Sequence, residues 1–192
     1  MPQVAAAQTA NPDAPFDSLR ECLRWAYNHT QGMHKDSLAQ FQARNPPWRG
    51  LGAGLDGAHT AGLILGQIGL MERIDRAILA ARHLDRLTPC DCKAPCCCGH
   101  RINVPWQSAI GELAQEAIKQ LSGCVSHTRL RQGIVRRYFG SGEKLKDLAS
   151  LVSCDPDTAT NHNARVVDWL KRKEHHALSE ADRRMKEIGM VA

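Results

Sequence analysis

Aromatic side chains make up only 5% of this 192-residue chain, and long β-branched, alternating runs are missing. Both absences argue against a sheet-built fold, because sandwiches and barrels draw their cores from strands of that kind. No stretch approaches the ~18 uninterrupted apolar residues that a bilayer span needs. The best one, "AGLILGQIGLM", is short and is followed by charge. The N-terminus, "MPQVAAAQTANPDAP", has no charged start leading into a long apolar core. It reads as a disordered lead over 1–15 rather than a signal peptide. The expected location is therefore the cytoplasm, with no membrane partner. In that reducing compartment thiols hold metals more often than they pair.

Catalytic signatures are also scarce. Gly50, Gly52 and Gly54 lack the preceding strand and the following Gly-Lys-Ser/Thr of a phosphate loop. "PCDC" and "PCCC" miss the Pro-Cys-x-x-Cys spacing of zinc deaminases, and no His-x-Glu accompanies them. A thioredoxin-type site would need Cys-x-x-Cys at a helix start in a βαβ context. Asp85 and Asp91 flank the cysteines, while Asp155 and Asp157 are explained by capping. His59, His162, His175 and His176 read as isolated polar-face residues. The chain is not expected to be an enzyme.

What is present favours helices. The chain is 43% hydrophobic, with alanine and leucine dominant, both strong helix formers. "FDSLRECLRWAYNH" places Leu19, Leu23, Ala26 and Tyr27 on one face behind a Ser18–Glu21 capping box, with Cys22 as a core thiol. The Pro- and Gly-rich stretch 43–57 reads as a flexible arm. A helical pair follows: "GAHTAGLILGQIGLM", with Asp56 as N-cap, and "ERIDRAILAARHLDRL", with Ile74, Ala77, Ile78 and Ala81 facing inward. Beyond the cysteines come "PWQSAIGELAQEAIKQL", with Pro105 in its first turn, and "SHTRLRQGIVRRYF", which ends at Gly140. Two or three more helices are expected from 141 to 192. The expected architecture is all-α: a helical bundle with a cysteine-rich metal-binding loop (88–101) and a C-terminal helix-turn-helix. The expected division is a helical domain over 16–125 and a DNA-binding domain over 126–192.

The strongest functional signal is "EKLKDLASLVSCDPDTATNHNARVVDWLK", residues 143–171. Leu145, Leu148, Ala149 and Val152 share one face of a first helix. "SCDPD" breaks the pattern, Asp155 supplies an N-cap, and Pro156 takes the first helical position. Ala159, Val166, Val167 and Leu170 form the inner face of a second helix. Thr158, Thr160, Asn161 and Arg165 then face outward from its first turns, where side chains reach base edges. Arg129, Arg131, Arg136 and Arg137 precede this unit, and Lys144, Lys146, Lys171, Arg172 and Lys173 flank it as candidate phosphate contacts. A net charge of +5 agrees with such a partner without demanding it.

"KLKDLASLVSCDPDTATNHNARVVDWLK" resembles the helix-turn-helix of sigma-factor region 4. Asp155 stands at the usual serine cap position, Thr158 matches the threonine, and Ala159 replaces the usual valine. A cysteine-rich segment ahead of such a unit is similar in organisation to small phage late-gene antiterminators and other phage DNA-binding proteins. That resemblance implies a phage or prophage transcription regulator in the host cytoplasm, which binds double-stranded DNA and engages RNA polymerase. No sigma region 2 motif is recognisable, which argues against a full sigma factor.

The cysteine segment "TPCDCKAPCCCGHR" holds five of the eight cysteines. Structural zinc takes four Cys or His ligands in a tetrahedron. Cys90, Cys92, Cys96 and Cys97 form the preferred set, because three consecutive cysteines point in different directions. Cys98 and His100 are alternatives, and Cys124 with His127, three apart, is another pair. An iron–sulfur cluster is a lesser option. Zinc would fasten a loop too poor in apolar residues to form its own core. The rival readings are a zinc-stabilised helical adaptor for protein docking and a metal-dependent nucleic-acid enzyme.

Overall fold

A computed structural model of the chain describes residues 14–32, 55–90, 92, 98–121 and 127–192. Residues 1–13 of the expected lead, 43–54 of the expected arm, and Cys96, Cys97 and Cys124 lie outside the described residues. The fold is mainly helical, as the composition implies. Its helices are α1 (Leu19–Gly32), α2 (Leu55–Gly69), α3 (Arg73–His83), α4 (Val104–Gln120), α5 (Thr128–Tyr138), α6 (Leu145–Leu151) and α7 (Pro156–Glu187). Among the described residues, no helix is long and apolar enough to cross a membrane.

The chain divides into two compact units, Met1–Gln67 with Ala181–Ala192, and Ile68–Glu180. In the first, the Ser18 hydroxyl accepts the Glu21 N–H at 3.4 Å and so starts α1. Cys22, Leu23 and Ala26 are fully buried on one face of that helix. Burial pushes the Cys22 thiol up to about 12, so it behaves as a small core hydrophobe. The Phe16 ring lies tilted against Trp25, with centroids 5.5 Å apart, and the Phe16 N–H donates to Met190 O at 3.2 Å. That bond ties the start of α1 to the chain after α7.

In the second unit, α3 packs on α4, α4 on α5, and α5 on α6. Ala77, Ile78 and Ala81 of α3 are buried, as their periodicity predicts, along with Ile110, Leu113 and Ala114 of α4. Pro105 lies in the first turn of α4, where no intrahelical N–H is needed. Gly140, at φ +90°, follows α5 and turns the chain away. That left-handed conformation is open to glycine at little cost. A bidentate pair joins Arg82 of α3 to Glu174 of α7, at 2.5 and 2.8 Å. The Tyr138 hydroxyl on α5 donates to the same carboxylate.

One part of the all-α expectation needs correction. The helix expected over 72–87 ends at His83, and β1 (Leu87–Pro89) pairs antiparallel with β2 (His100–Ile102). Leu84 leaves the helix in an extended conformation, with ψ at 141°. Asn103 then holds the exit: its side-chain amide donates to Asp85 O at 2.6 Å and its backbone N–H to Arg86 O at 2.9 Å. Cys90, Cys92 and Cys98 therefore lie on the connection between the two strands of a hairpin.

Candidate nucleic-acid interface and cysteine hairpin

α6 and the start of α7 form two helices around a tight turn. Leu148 and Ala149 of α6 are buried, and Leu145 is half-buried. The chain turns at Ser153, whose φ is 50°. α7 then starts at Pro156, and Asp155 caps it: the Thr158 N–H donates to Asp155 Oδ2 at 2.9 Å. That bond satisfies one of the orphan donors at a helix start. Ala159, Val166 and Leu170 are fully buried, with Val167 half-buried beside them.

The remaining face of α7 is open. Thr158, Thr160, Asn161 and Arg165 are all exposed, as are Lys144, Lys171 and Arg172. Thr160 uses its hydroxyl locally, donating to Pro156 O at 2.9 Å. Asn161 and Arg165 lie four residues apart and so share a face. Beside them, burial of His162, together with the nearby charges of Arg165 and His127, holds that imidazole below its ordinary value. His162 is neutral at pH 7, so Arg165 supplies the fixed positive charge at this place.

The basic flanks are not equivalent. Arg129 and Lys146 are exposed. Arg131 is only 2% exposed and cannot face phosphate. It occupies the inner face of α5 beside Leu130 and Ile134, and the charge pattern alone did not reveal which way that face points. Arg136 is closed on Glu143 by hydrogen bonds of 3.0 and 2.8 Å. Arg137 donates to Asn163 Oδ1 at 3.0 Å, linking α5 to the outer side of α7.

At the hairpin, the Cys90 N–H donates to Gly99 O at 2.9 Å, which draws the two ends of the loop together. Cys92 and Cys98 are exposed, and Cys90 is half-buried. Cys98 Sγ donates to the His100 carbonyl at 3.4 Å. His100 Nδ1 lies 3.3 Å from the Cys98 carbonyl. A carbonyl only accepts, so Nδ1 is the donor in this contact. Cys96, Cys97 and Cys124 lie outside the described residues, and His127, just ahead of α5, is exposed. Among the described residues, no three metal-binding side chains converge.

One polar pair and one polar cluster left no signal in the sequence. His176, read as isolated, instead bonds through Nδ1 to Asp75 Oδ2 at 3.1 Å. The Arg82–Glu174–Tyr138 cluster is the other. Partners 101 and 92 residues apart leave no local signal in the chain. No protein-family model matches this chain, and no curated protein or solved structure matches it significantly.

Proposed function

We propose that this protein is a DNA-binding transcription regulator of phage type, with α6 and α7 as a helix-turn-helix and the first turns of α7 as the reading surface. The observation that carries this reading is the segregation on α7. Ala159, Val166 and Leu170 are fully buried, while Thr158, Thr160, Asn161 and Arg165 are exposed just beyond the Asp155 cap. Asparagine and arginine are suited to adenine and guanine edges, and the helix N-terminus favours phosphate oxygens. Lys144, Lys171 and Arg172 are exposed and supply phosphate contacts. RNA polymerase is the proposed protein partner, and the chain acts by binding rather than by turnover.

The reading of a structural zinc ion on this loop is supported by its donor chemistry, with thiols at Cys90, Cys92 and Cys98 and the His100 imidazole close in sequence, although among the described residues no three of these side chains converge. Cys90 and Cys92 with Cys96 and Cys97 are the preferred ligands, and Cys98 or His100 can replace either of the last two. Bound zinc would fix the loop. Titration of labelled duplex DNA at a series of salt concentrations tests the function. The expected result is a steep fall in affinity with salt, and weaker binding by Asn161→Ala and Arg165→Ala variants that still fold. Salt-independent or absent binding would point to the protein-docking adaptor, and magnesium-dependent cleavage of the duplex to an enzyme. Metal analysis of the purified chain, with zero zinc per chain as the adverse result, tests the hairpin.

A further inference from the structure

A cleft of about 380 Å³ opens in the Ile68–Glu180 unit, between the base of the hairpin, α4, α5 and the connection into α6. One side of it is apolar. Leu87 and Ile102 are cross-strand partners at the hairpin base, yet they stay 41% and 51% exposed. Both line the cleft together with Trp106 and Ile110. Trp106 is 3% exposed, and its indole N–H donates to Ala81 O at 3.1 Å. That bond anchors Trp106 beneath the exposed Leu87 and Ile102.

The rim carries two guanidinium groups and one carboxylate, from Arg86, Arg136 and Glu143. Glu143 takes Arg136 in two hydrogen bonds, so those charges cancel. Arg86 donates to Ser141 O at 2.7 Å, which uses one of its five N–H groups. Among the described residues, no carboxylate forms an ion pair with it. Arg86 also acts through space on Glu143, helping to hold that carboxyl below its ordinary value. Two guanidinium groups thus face one carboxylate, and the cleft combines an apolar wall with a net excess of one positive charge.

We propose that this cleft binds a small amphipathic carboxylate, with its apolar body against Leu87, Ile102 and Trp106 and its carboxylate on the Arg86 guanidinium. The size fits, since small-molecule sites span ~300–1,000 Å³ and are mostly apolar with a few placed polar groups. The charge selects the class. A neutral apolar ligand leaves the excess positive charge of the rim unmet, and a nucleic-acid phosphate leaves the apolar wall bare. A guanidinium matches a carboxylate through paired N–H donors. This site does not rest on the DNA reading and stands equally in a chain that binds no DNA.

The test titrates 3-phenylpropanoate and its uncharged amide into the full chain, followed by chemical shifts of the tryptophan indole N–H groups. The acid saturates the Trp106 signal and binds about tenfold more tightly than the amide, the ratio expected for one charge-assisted contact. Arg86→Gln brings the acid down to the level of the amide. Ile102→Glu, at an exposed position, weakens both while the thermal melt is kept. Arg86→Lys retains part of the preference, which separates lost charge from a disturbed loop. The proposal is overturned if neither probe saturates, if acid and amide bind equally, or if Arg86→Gln and Ile102→Glu both leave the titration unchanged.

Discussion

Gly133 of α5 and Leu148 of α6 meet so closely that a β-carbon on the glycine would lie 2.5 Å from Leu148 Cδ2. Leu148 is 5% exposed, so it has little room to retreat. An alanine would gain about 1 kcal/mol of helix propensity over glycine. Overpacking a filled core costs ~1–3 kcal/mol. Gly111 of α4 supplies the control, because nothing lies within 4 Å of its would-be β-carbon. Gly111→Ala is expected to raise stability in chemical denaturation, and Gly133→Ala to fall below it by about 2 kcal/mol. Equal gains from the two substitutions would show that α5 and α6 are not packed this closely.

Glu174 gives the fold an acid-sensitive tie. Burial works against its charge, but the hydrogen bonds from Arg82 and Tyr138 outweigh that and hold its carboxyl below the ordinary value. The same burial, with the bond to Glu174, pushes the Tyr138 hydroxyl up to about 12. Because the folded carboxyl sits below an unfolded value of ~4.3, the unfolded state binds more protons as the solution is acidified. The contribution is complete above that unfolded value and is lost as pH falls through the folded one. Glu174→Gln is expected to cost about 2 kcal/mol at pH 7, by leaving the Arg82 guanidinium without its counter-charge. The difference between the parent and the variant should shrink in melts taken at progressively lower pH below ~4.3. A constant difference across that window would exclude this ion pair as the source.

Asp75 is 1% exposed, and its Oδ1 has no hydrogen-bond partner among the described residues. Its other oxygen depends on His176, whose side chain is itself 63% exposed. His176→Ala therefore removes an exposed group and strands a buried one, at a cost of ~1–3 kcal/mol. Replacing both partners, as Asp75→Leu with His176→Ala, is expected to recover most of that loss. If the double variant is no better than the single one, the buried carboxylate is not what His176 compensates.

The parts of this fold that were legible in the sequence are those specified locally. Ala159, Val166 and Leu170 fall on one face through helical spacing alone, and the Asp155 cap acts over three residues. The hairpin escaped because its strands are three residues long and one of them ends in Pro89. Neither has room for an alternating pattern, and the chain is held there by Asn103, 18 residues beyond Asp85. Arg131 misled for a related reason. A run of arginines shows charge, while the side a helix turns inward is set by its packing partners. The Arg86 cleft has no motif at all, since its wall and its charge come from strands, helices and a connection that meet only on folding. The metal ligands stay divided, because Cys96, Cys97 and Cys124 fall outside the described residues while Cys90, Cys92 and Cys98 fall within them.

The cysteines should separate by reactivity. Cys22 is fully buried, and its thiol is pushed up to about 12, so almost no nucleophilic thiolate reaches solvent at pH 8. Cys92 and Cys98 at the hairpin are exposed. Timed alkylation with iodoacetamide, read by peptide mass spectrometry, is expected to modify Cys92 and Cys98 first and Cys22 only on unfolding. A chelator supplies the second arm. If the hairpin thiols hold zinc, alkylation of Cys92 is slow until the metal is stripped and then rises by at least ~tenfold, because a coordinated thiolate is withheld from attack. Cys22 should not respond to the chelator unless the first unit unfolds with the loss of metal. Rapid labelling of Cys92 without chelator, on a chain shown to carry its full zinc, would remove that residue from the ligand set and shift the choice toward Cys98 and His100.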